Sequence, residues 1–228
     1  MALARIGVVG TDSGVGKTVV ACAIIAAMRE AGARVAPMQP VGRRGSGDIE
    51  QLRAACGGAY PDRLVQPFAF GDAATPLVSS RRAHASVDVE LLDRAFAELC
   101  ATSDAVVVEE SGGLLAPITE SENFATLFGR WGLDVVIVSR NSIGSVNQVL
   151  MNLHVAQQRG LRVRAVVLST LTRERGGTAE RTNQALLKEL LLTIPVVSFP
   201  YVESPGDPRQ LRALARELSA SATIARPA

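Results

Sequence analysis

Lysine is almost missing from this chain: of its 24 Lys and Arg residues only two, Lys17 and Lys188, are lysines. An arginine-biased chain that keeps a compact ammonium at one position suggests a crowded phosphate site, where a planar guanidinium cannot stand in. No basic tract is present either. The arginines are spread among acidic residues and the formal net charge is only +2, so nucleic acid is not the default partner. Cysteine is scarce. Cys22, Cys56 and Cys100 share no metal-type spacing and are odd in number, and read as reduced, mostly buried thiols of a cytoplasmic protein. The opening residues MALARIGVVG carry one Arg and a short apolar run that stops at Gly10, which fits neither a signal peptide nor a spanning helix, and no membrane partner is expected. No internal repeat or low-complexity stretch interrupts the chain, apart from a frayed tail expected around residues 219–228.

What is present is an apolar content of 47% over 228 residues, ample for one continuous core, and a single domain spanning 1–228 is expected. Short β-rich runs alternate with longer helical patterns, the signature of βαβ units. Strands are expected at 4–9, 34–38, 105–109, 134–138, 164–168 and 196–199. Helices are expected near 17–31, 48–56, 87–101, 145–159, 178–191 and 207–219. Several strand runs are apolar on consecutive positions, so the fold class is α/β, a mostly parallel sheet with helices on both faces. Gly32 and Gly160 sit where C′ glycines belong. The segment 57–86, with Pro61, Pro67 and Pro76, reads as a loop-rich insertion suited to substrate contacts.

The stretch GTDSGVGKT, residues 10–18, lies between the first strand and the first helix. Glycines at 10, 14 and 16 keep side chains away, so the backbone N–H groups of residues 13–18 can wrap a phosphate at the positive end of a helix while Lys17 reaches its β- and γ-oxygens. Thr18 then offers its hydroxyl to Mg²⁺. The usual pattern encloses four residues between its first glycine and the Gly-Lys pair; here Gly10 and Gly16 enclose five. A plain tight turn is the competing reading of these glycines.

GTDSGVGKTVV resembles the nucleotide loop of the dethiobiotin synthetases, which carry GTDTxVGKT. Further matches follow in family order: QPV at 39–41 against KPV, Asp48 opening a helix, P-x-x-F and TP pieces within 67–76, VVVEESGG at 106–113 against VEGAGG, IGSVNQ at 143–148 against LGxxNH, and FPYVESP at 199–205 against a Pro-centred loop near the base. The resemblance implies a P-loop NTPase-like fold and the ATP- and Mg²⁺-dependent carboxylation and ring closure of 7,8-diaminononanoate, a diamino carboxylic acid, with CO₂. An amine captures CO₂ as a carbamate, the carbamate attacks the γ-phosphate, and the second amine displaces phosphate. A homodimer is implied as well.

By the same resemblance, nucleotide would contact Ser13, Gly14, Val15, Gly16, Lys17, Thr18, Asp48, Glu109, Gly112, Ser169, Pro200 and Tyr201. Substrate would meet Asp12, Gln39, Ser145, Val146 and Asn147. Thr18, Asp48 and Glu109 form the oxygen-only set that a magnesium ion requires, and Glu109 ends an apolar strand where α/β ligands collect. Asp48 serves equally as an N-cap, and so does Ser145.

Positions 39, 43, 77, 110, 148 and 169 depart from the family. Gln39 replaces a lysine whose charge serves the carbamate and γ-phosphate; a glutamine donates hydrogen bonds without supplying charge. Arg43 or Arg44 could supply the missing cation, or both could be solvated loop residues; Lys17, Gln39 and Arg43 are therefore the catalytic candidates. Glu110 replaces a glycine, Gln148 a histidine, and Ser169 an asparagine that reads the base. His84 and His154 have no partner pattern and read as surface or packing residues. Two other functions compete: a partition or septum-placement ATPase switch, whose signature lysine position is Asp12 here, and a diverged nucleotide-binding paralogue with another or a lost substrate.

Overall fold

The computed structural model describes residues 3–58, 60–173 and 176–201, and beyond them residues 203, 212, 215 and 216. The elements in chain order are β1 (Ala4–Gly10), α1 (Lys17–Glu30), β2 (Val35–Met38), β3 (Val41–Arg43), α2 (Asp48–Cys56), α3 (Asp62–Val65), β4 (Phe68–Phe70), α4 (Pro76–Arg82), α5 (Val89–Thr102), β5 (Ala105–Glu109), α6 (Phe124–Trp131), β6 (Asp134–Arg140), α7 (Ser145–Gln158), β7 (Val163–Ser169), α8 (Thr178–Leu190) and β8 (Val196–Phe199). Most of the expected helix at 207–219, and the tail at 219–228, lie outside the described residues; Arg212, Ala215 and Arg216 are helical.

Six strands pair in the order β2-β5-β1-β6-β7-β8, and all five pairings are parallel. Every residue of β5, AVVVE, is buried, because alternate side chains enter two separate cores. Val106 and Val108 pack with α5, α6 and α7. Ala105 and Val107 pack with α1 and α2 on the other face. Continuous apolar strands are what such a doubly covered sheet demands. Helix α1 is buried over most of its surface, sandwiched between the sheet and α2. Gly32 and Gly160 adopt φ of +87° and +67°, as C′ glycines do.

The insertion read as loop at 57–86 is more ordered than its composition suggests. Pro61 caps α3 and Pro76 occupies the first turn of α4, so two prolines of this segment start helices, a role their fixed φ suits. β3 and β4 pair in parallel as a separate two-stranded sheet. These elements, three to seven residues long, are too short to display a period. Helix α6 forms where no helix is expected from the sequence. The interior Gly129 lowers its propensity, but Asn123 and Thr126 close a reciprocal capping box at its start, and Gly132 ends it at φ +64°.

Cys22, Cys56 and Cys100 are free thiols, the first two buried. His84 and His154 are exposed. Among the described residues no helix is long and apolar enough to cross a membrane.

Gly7 lies where β1 meets α6: a Cβ there would come within 2.8 Å of Phe128 and 3.2 Å of Val135. Rings held in a close-packed core yield little, so Gly7→Ala should cost roughly 1–3 kcal/mol, read as a lower urea midpoint at unchanged slope.

Candidate active site

Strand order places the site. The chain leaves β1 towards β2, returns through β5, and crosses β1 to reach β6. Crevices at the carboxyl ends of strands beside such a reversal collect ligands. The loop after β1 and the residues ending β5 meet there, Val8 lying in register with Glu109.

Gly14 and Gly16 adopt φ of +65° and +94°, and Gly16 caps α1 in the left-handed region, a conformation that bulkier residues reach only with strain. Lys17 folds back along the loop. Its Nζ donates to the Asp12 carbonyl at 3.0 Å, lies 3.6 Å from Glu110 Oε1, and would be 2.7 Å from a Cβ on Gly10. No side chain therefore fits at Gly10 while the ammonium holds this position.

On the α1 side, the Thr18 hydroxyl lies 2.8 Å from Glu109 Oε1 and 3.3 Å from Asp48 Oδ1. Glu109 is 3% exposed, and its second oxygen is buried with no hydrogen-bond partner. Burial, with Asp48 and Glu110 nearby, pushes the Glu109 pKa up to about 8 against the pull of Thr18 and Lys17. An orphaned carboxylate oxygen beside a hydroxyl and a second carboxylate could hold a magnesium ion. No trio of His, Cys, Asp or Glu among the described residues could hold a metal alone, which suits an ion that draws its remaining ligands from phosphate and water. Asp48 is not an N-cap, since Gly47 occupies that position.

Glu110 turns to the opposite side of the strand. Its Oε1 accepts from Gly10 N–H at 2.7 Å and its Oε2 from Gly113 N–H at 2.5 Å, and it is fully buried. Burial raises its pKa while Lys17 and the two amides oppose the shift. Both oxygens act as acceptors, the arrangement of an ionised carboxylate.

A cleft of about 720 Å³ gathers Ser13, Gly14, Gly16, Lys17, Thr18, Gln39, Arg43, Asp48, Glu109 and Gly112 from the residues expected at the site. Val15 is buried; only its backbone serves the loop. Asp12 is exposed, and its carboxylate accepts from Ser13 N–H. Arg43 reaches the cleft, whereas Arg44 is occupied by the Ala69 carbonyl at 3.1 Å.

Gln39 is 2% exposed, and its side-chain oxygen accepts from Gln66 Nε2 at 2.7 Å. This amide pair packs so closely over Gly42 that a Cβ there would fall 2.1 Å from Gln66. Gln66 escaped the sequence reading, because nothing local ties it to Gln39. Ser46, Gln51 and Asp72 also line the cleft without a sequence signal.

Two of the expected contact residues lie outside the cleft lining. The Ser145 side chain is fully buried and takes neither the N-cap position, which is Gly144, nor a place in the cleft. Its hydroxyl donates to the Arg140 carbonyl and accepts from Ser142 N–H at 2.9 Å, tying the loop before α7. The Ser169 side chain is buried as well: its hydroxyl has no partner and would lie 3.3 Å from a Cβ on Gly16. Val146 and Asn147 stand at the start of α7, outside the cleft lining. Pro200 and Tyr201 are exposed after β8, with the Arg173 guanidinium 5.7 Å over the Tyr201 ring.

A glycine-lined loop and lysine between β1 and α1, with carboxylates from the neighbouring strand, define a P-loop NTPase-like nucleotide-binding fold. Solved structures with that architecture include the septum site-determining protein MinD of Pyrococcus horikoshii (TM-score 0.60, 14% identity, 95% of this chain and 96% of that one) and a ParA family ATPase of Chlorobium tepidum (TM-score 0.56, 11% identity, 95% and 92%). The AAA domain family model matches residues 4–206. Two proteins named ATP-dependent dethiobiotin synthetase BioD are closer in sequence. That of Anaeromyxobacter dehalogenans (strain 2CP-C) is 35% identical over 93% of this chain and 96% of its own; that of Anaeromyxobacter sp. (strain Fw109-5) is 38% identical over 71% and 74%. The chain belongs to the ATP-dependent dethiobiotin synthetase family, a family of ATP-dependent ligases.

The buried Glu109 makes stability depend on pH. Its folded-state pKa of about 8 exceeds the ordinary 4.5, so between those values the folded chain holds a proton that the unfolded chain has lost. Its stabilising contribution is complete below pH 4.5 and is lost as pH rises to 8. The metal-free melting temperature of the native chain should therefore fall across this window relative to that of Glu109→Gln; parallel profiles of the two proteins would contradict the assignment.

Proposed function

We propose that this chain closes the cyclic urea of dethiobiotin on 7,8-diaminononanoate, with CO₂ as the added carbon and ATP as the phosphoryl donor. The observation that carries this reading is the cleft itself: phosphate loop, magnesium set and the Gln39–Arg43 wall face one space, while the family relationship supplies the chemistry. In this reading Lys17 and the loop amides hold the phosphates, and Thr18, Asp48 and Glu109 hold magnesium. The ion supplies charge neutralisation at the transferring phosphoryl group.

The protein's share is positioning and electrostatics. Gln39, held by Gln66, presents its amide nitrogen to the carbamate as an uncharged donor. Arg43 supplies the cation that Gln39 does not, since among the described residues no acidic group forms an ion pair with it and it already lines the cleft. The N-terminal end of α7, with Asn147 exposed and Val146 half-buried against the core, would face the substrate carboxylate across a homodimer. The MinD and ParA likeness extends to the fold alone. Asp12, exposed at the position of the switch ATPases' signature lysine, speaks against their mechanism here.

Purified chain with MgATP should release phosphate only when both 7,8-diaminononanoate and bicarbonate are present, and mass spectrometry should detect the cyclic urea. Phosphate release without the diamine, or none under any of these conditions, would overturn the assignment. Arg43→Ala should lower turnover by roughly tenfold or more, the scale of one lost charge-assisted contact in a transition state, while Arg44→Ala stays near wild type. Equal, unchanged rates for both would remove Arg43 from the mechanism.

A further inference from the structure

The Glu110 carboxylate has a role that the family reading does not supply. It is fully buried, and its oxygens are saturated by Gly10 N–H, Gly113 N–H and the Lys17 ammonium at 2.7, 2.5 and 3.6 Å. Thus one side chain ties the strand that precedes the phosphate loop to the glycine turn after β5 and to the cation of that loop. Gly113 adopts φ +108°, and a Cβ on it would lie 3.7 Å from the Gly10 carbonyl, so the two glycine segments are close enough for one carboxylate to bridge them.

Lys17 is 8% exposed, and its compensating contacts are internal: the Asp12 carbonyl and Glu110. A buried ammonium with an anion already beside it is not a free cation waiting for phosphate. Whatever Lys17 gains from phosphate oxygens is reduced by the contact with Glu110 that it leaves, and the carboxylate left behind repels the incoming anion across a poorly screened interior.

We propose that Glu110 is an internal competitor for Lys17: the ammonium sits on the carboxylate in the free protein and passes to the nucleotide phosphates on binding, so that Glu110 weakens nucleotide affinity and speeds product release. Glu110 is thus a positioning residue acting through Lys17. The bridge to Gly113 couples this exchange to the cleft-lining turn at Ser111 and Gly112, because the carboxylate must rebalance between two amides once its cation departs.

The inference rests on the nucleotide-site reading of this cleft and is independent of which molecule is carboxylated. Glu110→Gln preserves shape and removes the charge, and should bind MgATP and MgADP roughly tenfold more tightly by calorimetry, with slower ADP release, as expected for removal of one opposing charge in a partly desolvated site. Glu110→Gly should shift affinity in the same direction.

A second measurement needs no variant. Because the chain has only two lysines, Nζ-labelled wild-type protein should give a Lys17 ammonium signal coupled to a carboxylate carbon that disappears on addition of MgADP. Folded variants that bind no more tightly than wild type, or a coupling that is absent from the free protein or persists in the complex, would overturn the exchange. A wild-type chain that binds no nucleotide at all would instead sink the reading of the cleft.

Discussion

The arrangement turns on two adjacent carboxylates at the end of a completely buried strand. Extended backbone sends neighbouring side chains to opposite faces, so Glu109 and Glu110 enter different environments one residue apart. Glu110 is matched: an ammonium and two amides satisfy it. Glu109 is left incomplete, with one oxygen bonded to Thr18 and the other to nothing. Leaving a buried carboxylate half satisfied is unfavourable unless a cation completes it. The bonded oxygen faces Thr18 at the start of α1, whose hydroxyl also lies 3.3 Å from Asp48.

Charge in the cleft departs from the family pattern in one direction. Gln39 removes a cation and Glu110 adds an anion, yet both changes are structurally absorbed: Gln39 is held by Gln66 over Gly42, and Glu110 is held beneath the loop. Arg43 lies at the cleft on the small β3–β4 sheet. The cleft thus holds one lysine that is internally engaged and one arginine at the rim.

The six main strands were legible because each is a short β-rich run, several of them apolar at consecutive positions, and five of the long helices because their patterns persist over nine residues or more. The short elements were not legible. A three-residue strand has no period, and Pro61 and Pro76 carry the same letter whether they break a chain or start a helix. The glycine turn into α1 was legible, since Gly14, Gly16, Lys17 and Thr18 fall within five residues. Ser145 and Ser169 show the opposite case: the letter alone does not tell that the first hydroxyl is engaged by the backbone beside it and that the second is buried without a partner.

Sequence alone therefore determined what is local: a strand, a glycine turn, an ammonium and a helix start, whose order on the chain already dictates their proximity. Only the tertiary structure decided the partners across the sheet, namely that Glu109 faces Thr18 while Glu110 seizes Lys17, and that Gln66 rather than a cation governs Gln39. The physical reason is that saturation of a buried charge depends on groups up to about a hundred residues away, as with Gly10 and Glu110, brought together by a parallel sheet whose register no short stretch of sequence encodes.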